Sequence, residues 1–356
     1  MSGLSSLFDI GRDLYAMPSY CSNSGNALMP LRYFFELTHR CNLQCPYCYV
    51  GNVRNKEELT TQEWFDIIDQ IPWYSFVTLV GGEPLIRKDF IEILMYTAKK
   101  TMGKLNVVSN GILISDEIIE AFIKSKMLLL SVSLDGFGEN HDKNRAKDGI
   151  FEKIHSNFEK MNSREKRPMI DIKTIVLENN LDDLVKLYKY CDEMDFNFLS
   201  VSFLRNNNLK QNAVLFDSFV SEFNQNYPIE KYFDMEHFRE VYRELESLGE
   251  KSKVQIRWSP KFEYSKNPLE KIEEFFNYPE NKPIQEIYKP CKYPYSNMMI
   301  NPCGDVYPCL SQKIGNVKSM PIKEVFNMPH YRCFRKNLKK AEVFGACQMC
   351  CELCVR

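Results

Sequence analysis

Between residues 41 and 48 the chain places three cysteines in the spacing C-x3-C-x2-C, within Glu36-Leu37-Thr38-His39-Arg40-Cys41-Asn42-Leu43-Gln44-Cys45-Pro46-Tyr47-Cys48-Tyr49. Three thiolates on so short a loop can turn inward over one inorganic centre. They would fill three iron corners of a [4Fe-4S] cube and leave the fourth iron open, whereas a four-cysteine ferredoxin site closes every corner and only transfers electrons. Zinc binding or simple burial of the three thiols is the alternative. A structural zinc needs a fourth ligand in the same local unit, and His39 sits beside the loop rather than across from it.

Of the thirteen cysteines, eleven cluster at 41–48 and 291–354. No secretory signal precedes them, since Met1-Ser2-Gly3-Leu4-Ser5-Ser6 has neither a basic start nor a sustained apolar run. A reducing, cytoplasmic setting with metal ligands fits this better than a disulfide framework. No stretch approaches the length of a membrane span, so no membrane partner is expected. With 46 basic against 47 acidic residues there is no broad basic field, and nucleic acid is not an expected partner. At 356 residues the chain exceeds the size at which single cores stop growing, so one large domain plus an appendix is expected.

Read in order, residues 1–30 form an irregular N-terminal arm with one short helix near Leu7–Tyr15, and Cys21 is a bystander. Leu31–Leu37 is an aromatic, apolar strand that delivers the cysteine loop from its C-terminal end. Thr60 and Glu63 then supply a capping box, with Leu59 and Trp64 at N′ and N4, for a helix that Pro72 ends. A strand at Phe76–Val80 runs into Gly81-Gly82-Glu83-Pro84, and a helix follows at 88–101 with Phe90, Ile91, Leu94, Met95 and Ala98 facing inward. The pattern repeats through a strand at Lys104–Ser109 with Asn110-Gly111, a helix at 116–126, and a strand at Leu128–Leu134 with Asp135-Gly136. A helix near 149–162, a strand at 169–176, a helix at Leu181–Met194 and a strand at 198–204 complete it. Strand, loop, helix, repeated about six times, is the cue for a partial barrel whose chemistry gathers at the C-terminal strand ends. Residues 205–284 read as a polar crossover from Arg205, helices at 212–225 and 235–248, a strand at Val254–Trp258 and a connector.

The cysteine loop followed one strand later by Gly81-Gly82-Glu83-Pro84 resembles the radical S-adenosylmethionine (SAM) superfamily. The resemblance implies a partial (β/α)6 TIM-like barrel over 31–204. Cys41, Cys45 and Cys48 would hold a [4Fe-4S] cluster whose open iron is chelated by SAM. The glycines would let the backbone approach the SAM amino group and leave N–H and C=O groups free for it; Glu83 and Pro84 belong to the same motif. Tyr47 resembles the aromatic that lies against adenine. Asn110 and Ser133 stand where later strands supply ribose and carboxylate contacts, with turn formation and strand capping as alternatives. Asp135 contacts SAM or substrate, or caps its own turn. The implied chemistry is one-electron cleavage of SAM to a 5′-deoxyadenosyl radical that abstracts hydrogen, fed by a flavodoxin- or ferredoxin-type reductant.

Residues 285–356 form the second cysteine field. Met298–Cys309 reads as a β-hairpin turning at Pro302–Asp305. Cys291 and Cys309 flank it, and Cys347-x2-Cys350 can return from the tail to complete four thiolates. This resembles the twitch half of the SPASM extensions, which holds an auxiliary [4Fe-4S] cluster. The expected ligands are Cys291, Cys309, Cys347 and Cys350, with Cys354 in competition. The usual ending C-x2-C-x5-C-x3-C is here C-x2-C-C-x2-C, which leaves a second auxiliary cluster open, and zinc also suits four thiolates. Cys303 is a spare thiol or a residue specific to this enzyme. The Glu36–Cys41 lead-in resembles peptide-modifying members, so a peptide substrate is expected first. A sugar, aminocyclitol or nucleoside is the alternative, because the roughly 30 residues before the first strand leave no room for a separate peptide-recognition domain.

Overall fold

Strand β1 (Arg32–Glu36) pairs in parallel with β2 (Phe76–Val80), and the parallel series continues through β3 (Leu105–Ser109), β4 (Leu129–Ser133), β5 (Met169–Val176) and β6 (Phe198–Phe203). Helices cross over between them: α2 (Thr61–Gln70), α3 (Phe90–Thr101), α4 (Asp116–Ser125), α5 (Glu139–Arg145), α6 (Ile150–Asn162) and α7 (Leu181–Glu193), numbered after an N-terminal α1 (Gly3–Cys21). The expected partial (β/α)6 barrel is present in this computed structural model. It describes residues 3–48, 50, 57–204, 233–262, 267–279, 282–309 and 313–356. The polar opening at Arg205 and the helix expected at 212–225 lie outside the described residues.

The sheet does not stop at residue 204. After α8 (Met235–Gly249), β7 (Gln255–Ser259) adds in parallel to β6. At the other edge β8 (Asn297–Ile300) adds in parallel to β1 and turns into antiparallel β9 (Asp305–Tyr307), followed by β10 (Gly315–Asn316). The order is β10-β9-β8-β1-β2-β3-β4-β5-β6-β7, one ten-stranded sheet. The hairpin expected around Pro302–Asp305 is therefore bonded directly to the strand that carries the first cysteine loop.

Side chains alternate across the sheet. Phe35, Leu79, Val107, Leu130, Val132, Ile172, Leu199 and Val201 are fully buried against helices. The other face carries Thr78, Asn106, Ser131, Asp171 and Ser200 and lines the inside of the curve. Helix α2 illustrates why the local structure forms. Thr60 accepts from the Glu63 N–H while the Glu63 carboxylate accepts from the Thr60 N–H at 2.7 Å. The helix buries Trp64, Ile67 and Ile68, with Trp64 tilted on Phe35 at 5.4 Å.

Three readings change. The N-terminal arm carries a 19-residue helix, Gly3–Cys21, in place of the short one expected near Leu7–Tyr15. Its Gly, Ser and Pro18 disfavour helix locally, but it docks on the C-terminal region through Arg12–Glu352 at 3.6 Å, Asp13–Lys292 at 3.5 Å and an edge contact of Tyr20 with Tyr295. Tertiary packing overrides propensity there. In α3 the inner stripe runs through Phe90, Ile93, Leu94, Thr97 and Ala98, and Met95 is 38% exposed. Helix α5 is absent from the apolar period because it is short and polar, entered from Gly138 at φ 58°.

Candidate active site at the mouth of the barrel

The loop after β1 and the loop after β2 are sewn together by backbone bonds. Leu37 N–H donates to Val80 O, Gly82 N–H to Thr38 O at 2.7 Å and Glu83 N–H to Arg40 O at 2.9 Å. A Cβ on Gly81 would stand 2.6 Å from Thr38 O, and one on Gly82 would collide with the Arg40 carbonyl. The glycine pair is thus required for two backbones to touch. The Gly82 N–H is committed to Thr38, so it is not among the groups left free for a ligand. Arg87, which sequence reasoning missed, pins the same junction by donating to Leu37 O and Leu59 O while paired with Asp89.

Glu83 is fully buried and links β2 to the end of β3. Its Oε1 accepts from Ser109 Oγ at 2.9 Å and Leu85 N–H at 3.1 Å, and its Oε2 from Asn110 N–H at 2.7 Å. Burial raises its pKa to about 7 against the lowering effect of those donors. A raised folded-state value means the native state holds the proton more tightly than the unfolded chain. Stability of the cluster-free protein should therefore fall as pH rises from about 4.5 to about 7 and level off above that. Denaturant titrations at several pH values check this, and Glu83→Gln should remove that part of the slope.

Asn110 reaches back to the cysteine loop, its Nδ2 lying 2.7 Å from Asn42 Oδ1 and 4.0 Å from Cys41 Sγ. Asp135, after β4, is fully buried and completely engaged. Its Oδ1 accepts from Ile175 N–H at 2.8 Å; its Oδ2 accepts from Tyr47 Oη at 2.5 Å and pairs with Arg145 Nη2 at 2.5 Å. Its backbone is held by His141, Asn144 and Asn180. Asp135 is therefore a clamp on Tyr47 and Arg145. The same Arg145 donates to Cys45 Sγ at 3.7 Å and lies over the Tyr47 ring at 5.9 Å. Burial works against the Arg145 charge, but Asp135 overrides it and the pKa is raised. Burial, then the Asp135 charge, pushes Tyr47 up as well. Burial lowers His141 to about 4, so it is neutral, with Nδ1 free to accept the Asp135 N–H. Ser133 is half-buried at the end of β4.

Burial also raises the thiols of Cys41 and Cys45, and Arg145 offsets it at Cys45. Thiols raised by burial with a buried guanidinium alongside fit a thiolate-ligated centre, where coordination removes the protons and the cation balances the charge. No three Cys, His, Asp or Glu side chains among the described residues converge tightly enough to hold a single metal ion.

In the C-terminal field, Cys291, Cys309, Cys347 and Cys350 are part-buried against the apolar core, whereas Cys333 and Cys351 are exposed. Burial raises the Cys291 thiol well above its ordinary value, and Cys347 and Cys309 raise it further, so the three sulfurs lie within electrostatic reach. Cys354 is held by its backbone, its carbonyl accepting from Lys289 N–H. Cys303 sits in the β8–β9 turn, its N–H on Asn301 Oδ1 and its carbonyl on Asn316. Neighbouring Pro302 accepts from Leu59 N–H, so the turn stands beside the first loop.

Comparison with known proteins agrees with this geometry. The profile of the radical SAM superfamily matches residues 35–191, and that of the SPASM iron-sulfur cluster-binding domain matches 291–351. The sporulation killing factor maturation protein SkfB of Bacillus subtilis is 29% identical over 181 residues, which is 50% of this chain but only 43% of SkfB. The AdoMet-dependent heme synthase of Methanosarcina barkeri is 26% identical over 89% of this chain and 87% of its own length. Streptococcus suis SuiB, solved bound to its precursor peptide SuiA, shares the fold with a TM-score of 0.65 at 18% identity, over 92% of this chain and 72% of SuiB. The two profiles bring with them SAM as cosubstrate, a SAM cluster and auxiliary iron–sulfur chemistry. The chain belongs to the radical SAM superfamily, in the branch that carries a C-terminal SPASM iron–sulfur domain.

Proposed function

We propose that Cys41, Cys45 and Cys48 hold the SAM cluster and that the enzyme abstracts hydrogen from a peptide substrate in peptide maturation. The observation that carries the reading is the sewing of four loops at one end of the barrel, through Glu83 on one side and Asp135 on the other. When bound, the reduced cluster and SAM supply a 5′-deoxyadenosyl radical. The chain's own residues do the rest. Asn110 steadies the loop at Asn42, beside Cys41. Arg145 lends charge to Cys45, and Asp135 fixes the Tyr47 ring where an adenine can lie against it. Gly81, Gly82, Glu83 and Pro84 shape the wall for the methionine end, and Ser133 faces the inside of the barrel next to it.

Cys291, Cys309, Cys347 and Cys350 are proposed to hold one auxiliary [4Fe-4S] cluster, with Cys354 as the alternative fourth ligand. The working division is an N-terminal arm at 1–30, the barrel at 31–204, a crossover and connector at 205–284 and the cluster domain from 285. A flavodoxin- or ferredoxin-type protein would supply electrons. A cytoplasmic location accords with the free thiols, and no helix among the described residues is long and apolar enough to cross a membrane.

A small-molecule substrate is the second reading, because a relative that matches 89% of this chain and 87% of its own length is named for haem synthesis rather than peptide maturation. Anaerobic incubation of reconstituted protein with SAM should give 5′-deoxyadenosine only when a reductant is added. Absence of the nucleoside under those conditions would overturn the proposal for either substrate class.

A further inference from the structure

Parallel register sets Ser133 of β4 opposite Lys173 of β5, Lys173 opposite Ser200 of β6, and Ser200 opposite Arg257 of β7. Matched positions on parallel neighbours point the same way, so these four form one row on one face. It is the inner face, since the alternate residues Ile172, Leu199 and Val201 are fully buried against helices. Ser133, Lys173 and Arg257 are nonetheless part-exposed, so solvent reaches the inside of the barrel at this row. Ser133 precedes Asp135 by two residues, which puts the row about 6–7 Å along the strand from the clamp on Tyr47.

Asp171 lies one step deeper and is 1% exposed. Its carboxylate accepts from Ser131 Oγ at 3.1 Å and Ser200 Oγ at 2.6 Å and pairs with Lys173 Nζ at 3.1 Å. Two hydroxyls and an ammonium fix that carboxylate, and it in turn fixes the lysine. An ammonium carries three donors, and the Lys173 side chain is 41% exposed, so the pair has capacity for a second anion on the open side. Arg257 is stacked on Phe198 with its guanidinium carbon 3.3 Å from the ring centroid. Phe198 is the register partner of Asp171, so the second cation borders the same place.

We propose that Lys173, positioned by Asp171 and flanked by Arg257, receives a carboxylate of the substrate, so that the molecule acted on carries a carboxylate near the reacting carbon. The inference rests on the reading above that substrate enters the inside of the barrel. Charge-assisted pairing in a partly desolvated cleft is stronger than at an open surface. An acidic peptide side chain and a small dicarboxylate offer the same chemistry. SAM has a carboxylate too, and Ser133 stands beside the lysine, so the cofactor is the competing source.

The test uses the full chain, reconstituted and SAM-loaded, with three probes: acetyl-Gly-Gly-Glu-Gly-Gly-amide, its Gln counterpart, and glutarate. Binding is followed by saturation-transfer NMR, with SAM affinity measured in parallel. The Glu peptide should bind about tenfold tighter than the Gln peptide, a difference worth one charge-assisted contact. Lys173→Met should abolish the preference and Lys173→Arg retain it, both with unchanged SAM affinity. Equal binding of the Glu and Gln peptides to the wild type, with no glutarate binding, overturns the inference and needs no variant to fold. Loss of SAM affinity in Lys173→Met to the same degree as peptide affinity also overturns it, by assigning the lysine to the cofactor. Glutarate binding that Lys173→Met abolishes, with neither peptide bound, keeps the carboxylate site and overturns the peptide substrate instead.

Discussion

Replacing Cys41, Cys45 and Cys48 together by alanine should lower bound iron from about eight to about four per chain, each cube contributing four. The same variant should produce no 5′-deoxyadenosine from SAM under reducing conditions. The two readouts separate the roles of the two cysteine fields. An auxiliary cluster on Cys291, Cys309, Cys347 and Cys350 survives the substitution, because its proposed ligands stand on β8–β9 and the tail. The loss of SAM cleavage should be complete rather than partial, since four thiolates on the proposed auxiliary cluster would leave it no open iron. A fall from about twelve irons to about eight would instead require a second auxiliary cluster and bring Cys351, Cys333 and Cys354 into use. Zinc alone, with no SAM cleavage by the wild type, would overturn the enzymatic reading. The fold should tolerate the change, because the loop is held by backbone bonds from Thr38 and Arg40 to Gly82 and Glu83 rather than by the thiols.

Much of this was legible in the sequence, and the reasons are local. The strand at 76–80 and the strand at 169–176 have apolar runs bounded by turn residues, and both occur at those limits. The capping box at Thr60 and Glu63 is a four-residue signal with one geometry, and it forms. The cysteine loop, the Gly81–Pro84 turn, Asn110 and Asp135 fall at strand ends, where a barrel gathers its chemistry, and all four meet there. What the sequence withheld depends on partners distant along the chain. Nothing near Asp135 announces that Tyr47, 88 residues earlier, and Arg145 converge on one of its oxygens. Arg145 lies in a short polar helix with no apolar period to mark it. Helix α1 forms although its own residues disfavour it, because its partners lie near residues 292–295 and at Glu352. The joining of β8 to β1 is a pairing across more than 260 residues, beyond any local pattern.

The clamp itself makes the second large prediction. Asp135→Asn preserves shape and leaves an acceptor for the Ile175 N–H, but it sets an amide where Arg145 needs an anion. Arg145 has a side chain only 13% exposed, and Asp135 is fully buried, so the guanidinium would be left as an uncompensated buried charge. Removing one member of such a pair costs about 3–5 kcal/mol, a large share of the roughly 5–15 kcal/mol that holds a domain folded. Tyr47→Phe removes only one hydrogen bond and leaves the ion pair, so it should cost about 1 kcal/mol. The double variant Asp135→Asn with Arg145→Met deletes both charges. It should recover much of the stability lost in Asp135→Asn. Urea unfolding of the cluster-free chain reads all three. A cost below about 1 kcal/mol for Asp135→Asn would mean that Arg145 finds water or another anion, and that the clamp does not hold Tyr47 against the cysteine loop. If the clamp does hold, the double variant should fold and load its clusters yet bind SAM more weakly, because Tyr47 loses the partner that fixes its ring and Cys45 loses its neighbouring cation.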